Sequence, residues 1–197
     1  FFAFWPHYID PTSEFSITTP TWNHLWYVVY LLVYSLMILP FAGPFSRFAS
    51  GAMAKLTRRV FAGRMGIVWA VVVPVAPHLL YRVVLDPHFP TTHDLTWDWA
   101  NHAHSLTMVL TGYFLAKDEA FWGAIRRGWK LIAGLTIALG AVMTLVWNNW
   151  ELFGGEVAPL EAWLWPARVG RVLFAWMVIY SLLGIAQQFL NRDSKAL

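Results

Sequence analysis

Five long apolar runs constrain this chain more than any other feature of its sequence. They cover residues 25–45, 65–85, 100–116, 131–147 and 172–190. Each has about the 17–25 residues that an α-helix needs to cross a bilayer. None alternates polar and apolar residues as a barrel strand does, so helices are the spanning structure that satisfies the backbone. The sequence predicts an all-α, polytopic helical bundle, with about five transmembrane helices forming one membrane domain over residues 1–197.

Composition supports lipid as the surrounding medium. The chain is 58% hydrophobic and 13% charged, and it contains 13 Trp, whereas a soluble domain carries roughly 25% charged residues. The absence of cysteine excludes disulfides, zinc–thiolate sites and cysteine nucleophiles. The chain opens FFAFWPHYIDP, without Met or a signal-peptide pattern, and we expect it to be an internal fragment of a longer membrane protein.

Charged residues alternate between the two sides of the predicted bundle. Segments 47–64, 117–130 and 192–195 hold eleven of the 14 basic residues, whereas eight of the 11 acids lie in the other connections. Basic loops face the cytoplasm, so we expect an integral protein of the inner or plasma membrane with these three segments cytoplasmic. The net charge of +3 is then a topology signal, and no nucleic-acid partner is expected.

The stretch WANHAHSLTMVLTGYFLA, at residues 99–116, raises the question of a metal site. On a helix, His102 and His104 point about 200° apart and do not chelate one ion together. We expect no metal here. The helix instead presents Asn101, His104 and Ser105 on one face, with His102 turned aside.

Further polar residues near the extracytoplasmic side are candidates for substrate binding. His78 and Arg82 lie one turn apart in PVAPHLLYR, where two prolines should kink the helix, but Arg82 also lies close enough to Asp86 to be a simple interfacial residue. Asn149 lies in VWNNWE, which suits either a sugar-binding surface or an interfacial tryptophan belt. The full candidate set for substrate binding is His24, His78, Arg82, Asn101, His104 and Asn149.

Two groups of arginines have alternative interpretations. Arg168 and Arg171 break the charge bias near the fifth run, and they pair with nearby glutamates or hold an anionic acceptor or a lipid headgroup. On the cytoplasmic side, Arg58, Arg59 and Arg64 either anchor the loop to anionic lipid or grip phosphates.

The segment TWNHLWYVVYLLVYSLM, at residues 21–37, resembles a motif of the acyltransferase-3 superfamily of integral membrane acyltransferases. The resemblance is closest to the branch that contains glucan-succinylating proteins. SLTMVLTGYFLAKDEAFWGAIRRGW, at 105–129, is similar to a helix and following turn of that branch, and QQFLNRDSKAL to the stretch before its last helices. The resemblance departs at residues 24–28, where many members carry a serine–glutamate motif and this chain reads HLWYV.

The resemblance implies transfer of an acyl group from cytoplasmic acyl-CoA to a hydroxyl of a glycan or lipid-linked sugar. Acyl-CoA would be a donor substrate rather than a tightly bound cofactor, and Arg58, Arg59 and Arg64 would bind it. The family's essential histidine would lie upstream of Phe1, so the catalytic residue is expected outside this chain and the fragment alone is expected to be inactive. About half of a roughly ten-helix domain would be present.

Two other functions fit the same features. A transporter or flippase for a polar or anionic solute would use the same polar residues near the extracytoplasmic side, with His78 and Arg82 lining its path. A structural membrane subunit would need no linked polar sites on the two sides. An inverted repeat in the complete sequence would favour transport.

Overall fold

A computed structural model of the chain describes residues 26–92, 95–153 and 161–190, with the side chains of all of these except 150, 153 and 161–164. Helices make up nearly all of these ranges, and no strand occurs in them. The bounds of the helices are α1 Trp26–Ile38, α2 Ala42–Phe48, α3 Ala54–Phe61, α4 Gly66–Val84, α5 Trp99–Leu115, α6 Glu119–Asn148 and α7 Glu161–Ile185. The protein is an all-α, polytopic helical bundle.

Four helical stretches in the described ranges are long and apolar enough to cross a membrane. They cover Trp26–Phe61, Gly66–Val84, Glu119–Asn148 and Trp165–Leu190. The third run of the sequence is also helical, as α5, but with 17 residues it is shorter than the other spans. Large apolar side chains cover the outside of the bundle; for example, Leu32 is 59% exposed and Ile137 is 74% exposed. Such a surface requires a lipid environment.

The first stretch differs from its prediction because the expected loop at residues 47–64 is largely helical. A 3-10 turn at Leu39–Phe41 and a π-helical segment at Ala49–Met53 join α1, α2 and α3 into one run ending at Phe61. The amphipathic pattern of α3 explains its helicity, because Thr57 and Phe61 are buried one turn apart while Arg58 and Arg59 are exposed.

Helix α6 begins twelve residues before the predicted start at 131. Asp118 is its N-cap, with its carboxylate accepting a hydrogen bond of 2.7 Å from the backbone N–H of Phe121. Buried residues then recur at helical spacing through the expected turn at 117–130: Phe121, Ala124, Ile125, Gly128 and Ile132. The basic residues between them lie on the outer face of the same helix. Helix α7 likewise begins before the predicted 172, so that Arg168 and Arg171 lie within it.

The core forms where α4, α6 and α7 pack together. Trp176, Met177 and Tyr180 of α7 are buried against Ala70 and Val75 of α4 and against Ile125 of α6. The Tyr180 hydroxyl donates a hydrogen bond of 2.7 Å to the carbonyl of Ala124. This three-helix core fixes the positions of α4 and α7, which form two walls of the cavity described next.

A side chain of α7 satisfies a backbone carbonyl that one of the two prolines in α4 leaves free. Both Pro74 and Pro77 lie inside α4, which runs on through them. Because Pro74 has no N–H, the carbonyl of Ala70 loses its usual helical partner. The indole N–H of Trp176 donates to that carbonyl at 2.9 Å. A neighbouring helix thus satisfies the freed group, as a membrane interior demands.

Candidate functional site

A cavity of about 410 Å³ opens between α4, α5 and α7. It is lined by His78, Arg82 and Asp86 of α4 and the residues following it, by Asn101, His104 and Ser105 of α5, and by Arg171 and Trp176 of α7. We call it the histidine cavity. Its volume is in the range of small-molecule sites. Its wall combines cations, imidazoles and amide groups with an apolar floor, which suits a polar ligand.

Helix geometry places the α5 residues as the sequence predicts. Asn101, His104 and Ser105 all line the histidine cavity, whereas His102 does not. The Nδ1 atom of His102 lies 2.6 Å from the Tyr34 hydroxyl, and its Nε2 lies 2.9 Å from the carbonyl of Leu95. The prediction that His102 turns aside is confirmed.

Asp86 connects the polar groups of the cavity. One of its carboxylate oxygens lies 2.7 Å from Nη1 of Arg82, and the other lies 3.2 Å from Nε2 of His104. His104 in turn meets His78, with 2.9 Å between their Nδ1 atoms, and the two rings are parallel to within 6°. His78 is 8% exposed, and its Nε2 has no hydrogen-bond partner among the described residues.

A second polar cluster, around Asp98, adjoins these hydrogen-bonded side chains. The sequence analysis did not predict it. Asp98 is fully buried, and it accepts hydrogen bonds from the Tyr30 hydroxyl at 2.9 Å, from Nδ2 of Asn101 at 2.9 Å and from the backbone N–H of Thr92 at 3.2 Å. These bonds tie α1 to the start of α5. The sequence does show an acid directly before an apolar helix. It does not identify the tyrosine partner of that acid, which is 68 residues away.

The remaining substrate-binding candidates lie elsewhere. Asn149 does not line the histidine cavity; its exposed side chain donates a hydrogen bond of 2.8 Å to the carbonyl of Leu145 at the end of α6. The expectation that it joins the same path therefore has no geometric support. His24 lies outside the described residues.

Arg168 and Arg171 also differ from each other. Arg168 lies over the ring of Trp165 at 5.3 Å, while Arg171 lines the histidine cavity. No acid pairs with Arg171 among the side chains that the structure describes. Glu156 and Glu161, the partners considered from the sequence, lie outside that set.

A second cavity, of about 460 Å³, lies at the opposite end of α5. We call it the arginine cavity. Its polar lining comprises Ser46, Ser50, Arg58, Tyr113, Lys117, Asp118 and Glu119. Of the three arginines predicted to bind the donor, Arg58 lines this cavity, whereas Arg59 and Arg64 are exposed and do not.

Contacts between the basic segments show that they share one end of the bundle. The hydroxyl of Thr57 donates to the carboxylate of Asp118, and Nη2 of Arg127 donates to the carbonyl of Phe61 at 2.7 Å. A nearby cleft of about 730 Å³ brings Lys117 and Arg126 next to Gln187 near the end of α7. Arg192 and Lys195 lie outside the described residues. The two described basic segments thus lie together, as the alternating charge pattern predicts.

No group of three or more His, Asp or Glu side chains in the described ranges is arranged to hold a metal ion. Comparison of the chain with protein-family models, with curated proteins and with solved structures finds no match.

Proposed function

We propose that this protein is part of a membrane-bound acyltransferase, which moves an acyl group from cytoplasmic acyl-CoA to a hydroxyl of a glycan or other extracytoplasmic acceptor. The observation that carries the proposal is the pair of polar cavities at opposite ends of α5. One contains cations suited to phosphates, and the other contains imidazole and amide groups suited to hydroxyls. The resemblance of residues 21–37 and 105–129 to the acyltransferase-3 superfamily supports the same function.

The arginine cavity is the proposed donor site. Arg58 and Lys117 line it together with Ser46, Ser50, Asp118 and Glu119. Guanidinium groups bind phosphate oxygens through two parallel hydrogen bonds, whereas ammonium groups act as point charges. The phosphates of coenzyme A would lie here, and the thioester arm would extend between the helices.

The histidine cavity is the proposed acceptor site. Asn101, Ser105 and His78 offer hydrogen-bonding groups to sugar hydroxyls, and Trp176 supplies an apolar surface deeper in the cavity. Arg82 and Arg171 add positive charge, which favours an acceptor that carries an anionic group nearby. The basic end would face the cytoplasm, in keeping with the charge bias of the loops.

The first prediction separates phosphate binding from lipid anchoring, using two adjacent arginines. Arg58 lines the arginine cavity and Arg59 does not. In the full-length protein, Arg58→Lys should raise the KM for acyl-CoA, because lysine cannot reproduce a bidentate contact. A loss of about 1–3 kcal/mol corresponds to about 5- to 150-fold. Arg58→Gln should raise it further.

Arg59→Lys and Arg59→Gln are the matched controls and should leave the KM near its wild-type value. The assay follows transfer from radiolabelled succinyl-CoA to a glucan oligosaccharide, with membrane insertion checked for each variant. Equal effects at both positions would indicate nonspecific attraction of the donor to basic charge. Full donor affinity in Arg58→Lys would exclude the assigned donor site.

A further inference from the structure

We propose that Arg171 is the specificity-determining residue of the histidine cavity and binds a phosphate group of the ligand there. The phosphate is carried by a sugar or by a lipid headgroup, and the same donors recognise it in either case. The inference rests on the proposed function in treating this cavity as the acceptor site, and it narrows the acceptor to a phosphate-bearing molecule.

The charges that line the histidine cavity are unbalanced, with two arginines and one acid. Both carboxylate oxygens of Asp86 are already used: one lies 2.7 Å from Nη1 of Arg82, and the other lies 3.2 Å from Nε2 of His104. No acid among the described side chains lies within ion-pair distance of Arg171. Arg171 therefore supplies a positive charge that no described carboxylate compensates.

The depth of Arg171 in the membrane makes this charge significant. It lies six residues after the start of the span Trp165–Leu190, which corresponds to about 9 Å along the helix. A cation at such a depth is costly unless it faces a partner or a cavity, and it usually marks a functional site. Arg168, one turn nearer the end of the span, lies over the ring of Trp165 and does not line the cavity.

The donors that a ligand can reach favour phosphate over carboxylate. Arg171 is exposed on the α7 wall of the cavity, and Ser105 is partly exposed on the α5 wall. A guanidinium binds two oxygens of one anion through parallel hydrogen bonds. Phosphate has three acceptor oxygens, so one remains for a second donor such as the hydroxyl of Ser105. A carboxylate has two oxygens and leaves none for it.

Helix packing holds the guanidinium in a fixed place. Five residues after Arg171, the indole of Trp176 donates to the carbonyl of Ala70 at 2.9 Å, and the Tyr180 hydroxyl donates to the carbonyl of Ala124 at 2.7 Å. These bonds join α7 to α4 and α6, and a preorganised cation loses little freedom on binding. The volume of about 410 Å³ leaves room for a sugar ring or a glycerol unit beside the phosphate.

The test measures ligand binding to the full-length protein without acyl-CoA, from the thermal stabilisation that each ligand produces. The probes are glucose 6-phosphate, glucuronate and glucose, which share a ring and differ at the sixth carbon. The wild type should bind glucose 6-phosphate most tightly. Arg171→Gln should weaken that binding by about 10- to 150-fold, because it removes charge-assisted hydrogen bonds. Arg171→Lys should weaken it less, since it keeps the charge and loses the planar fork.

Arg168→Gln is the matched control, because it removes the same charge one turn away and outside the cavity. It should bind glucose 6-phosphate as the wild type does. Equal weakening in Arg168→Gln and Arg171→Gln would indicate nonspecific attraction to basic charge and would overturn the proposal. Binding of glucuronate as tight as that of glucose 6-phosphate would overturn the assignment of phosphate.

The melting temperature without ligand distinguishes a binding role from a structural one. Removal of an uncompensated charge should leave the melting temperature of Arg171→Gln unchanged or raise it. A lower value would show that Arg171 pairs within the protein, and the proposed site would then be wrong.

Addition of phosphatidylglycerol, to protein in a detergent without phosphate or sugar, identifies the source of the phosphate. Competition with glucose 6-phosphate would support the site with a lipid headgroup as its ligand, and no competition would support it with a phosphorylated sugar. Phosphate binding by a protein that transfers no acyl group would support the site and remove the acyltransferase proposal. Acyl transfer to a neutral glucan by a protein that binds no phosphate would do the reverse.

Discussion

At the scale of single residues, the buried acid Asp98 determines how the histidine cavity is assembled. Its carboxylate receives hydrogen bonds from Tyr30 on α1 and from Asn101 on α5. Asn101 also lines the cavity, so one acid fixes both the position of α1 and the orientation of a cavity side chain. Burial of a carboxylate is tolerated only with such compensation.

Removing this acid should destabilise the protein in a way that a second substitution repairs. Asp98→Ala deprives the Tyr30 hydroxyl, on a side chain that is 2% exposed, of an acceptor, and it should cost about 1–3 kcal/mol. Tyr30→Phe in the same chain removes the donor as well and should recover part of the loss. Thermal unfolding in detergent measures both. Additive losses in the double variant would contradict the assigned hydrogen bond.

The sequence predicts side-chain directions within one helix but not partners between helices. The face shared by Asn101, His104 and Ser105 follows from 3.6 residues per turn, and so does the common face of His78 and Arg82. The contact between His78 and His104 joins residues 26 apart, and it depends on how α4 packs against α5. Periodicity carries no information on that packing, and for this reason the hydrogen-bond contacts that link His78 through His104 to Asp86 could not be predicted.

At the scale of helices, α7 satisfies a backbone carbonyl that a proline inside α4 leaves without its usual donor. Pro74 leaves the carbonyl of Ala70 without a backbone donor, and the indole of Trp176 replaces that donor. The hydrogen bond that is missing within α4 is thus replaced by one between two helices. This bond joins the wall of the histidine cavity to the core.

A double-mutant cycle tests this substitution of donors. Trp176→Phe should cost about 0.5–1.5 kcal/mol for the lost hydrogen bond, apart from the change in packing. In a Pro74→Ala background the cost should be smaller, because the restored N–H of residue 74 reaches the same carbonyl. The coupling is the difference between the two losses in thermal stability. A cost that is independent of residue 74 would show that the indole acts by packing alone.

Close approach of α6 and α7 gives a second prediction at this scale. A Cβ added to Gly184 would lie 2.2 Å from Cβ of Trp129, so Gly184→Ala should destabilise by about 1–3 kcal/mol. Gly134→Ala on α6 is the control, because no atom lies within 4 Å of the added carbon there. It should be neutral or stabilising by up to about 1 kcal/mol. Similar melting temperatures for the two variants would contradict the described packing.

Helix existence was predictable from apolar length, whereas helix ends were not. The hydropathy of residues 131–147 identified α6. The helix nevertheless starts at Glu119, because Asp118 caps it and Arg127 donates a hydrogen bond to the carbonyl of Phe61 on α3. Basic residues reduce the hydropathy of residues 117–130 without preventing helix formation, since only one face of that helix is buried. Hydropathy identifies the part of a helix that lies in lipid. It therefore underestimates the length of a helix whose amphipathic end extends beyond the bilayer.

At the scale of the whole molecule, the two cavities give the bundle two chemically different ends. One end collects Asp86, His104 and Arg171, and the other collects Arg58 and Lys117. α5 contributes its first residues to one cavity and its last to the other. The alternating charges of the sequence predicted this separation, because charge near a helix end sets the direction of insertion.

Accessibility labelling tests the orientation. The chain has no cysteine, so single cysteines at Ser50 and Thr92, both exposed, report on the two ends independently. On intact cells, an impermeant maleimide should label Thr92→Cys and not Ser50→Cys, and permeabilised cells should label both. The reverse pattern would place the arginine cavity outside the cell, which would exclude a cytoplasmic donor.

The shortness of α5 has a consequence for the surrounding lipid. At 1.5 Å per residue, its 17 residues span only about 25 Å, whereas a typical hydrocarbon layer is about 30 Å deep. Such hydrophobic mismatch is relieved by local thinning of the bilayer, at a cost that grows with each ångström. Headgroups and water are then drawn inward toward the mouth of the histidine cavity at the N-terminal end of α5. Bilayer depth thereby becomes a determinant of how easily a hydrophilic ligand reaches the histidine cavity, and membranes with shorter acyl chains should admit it most readily.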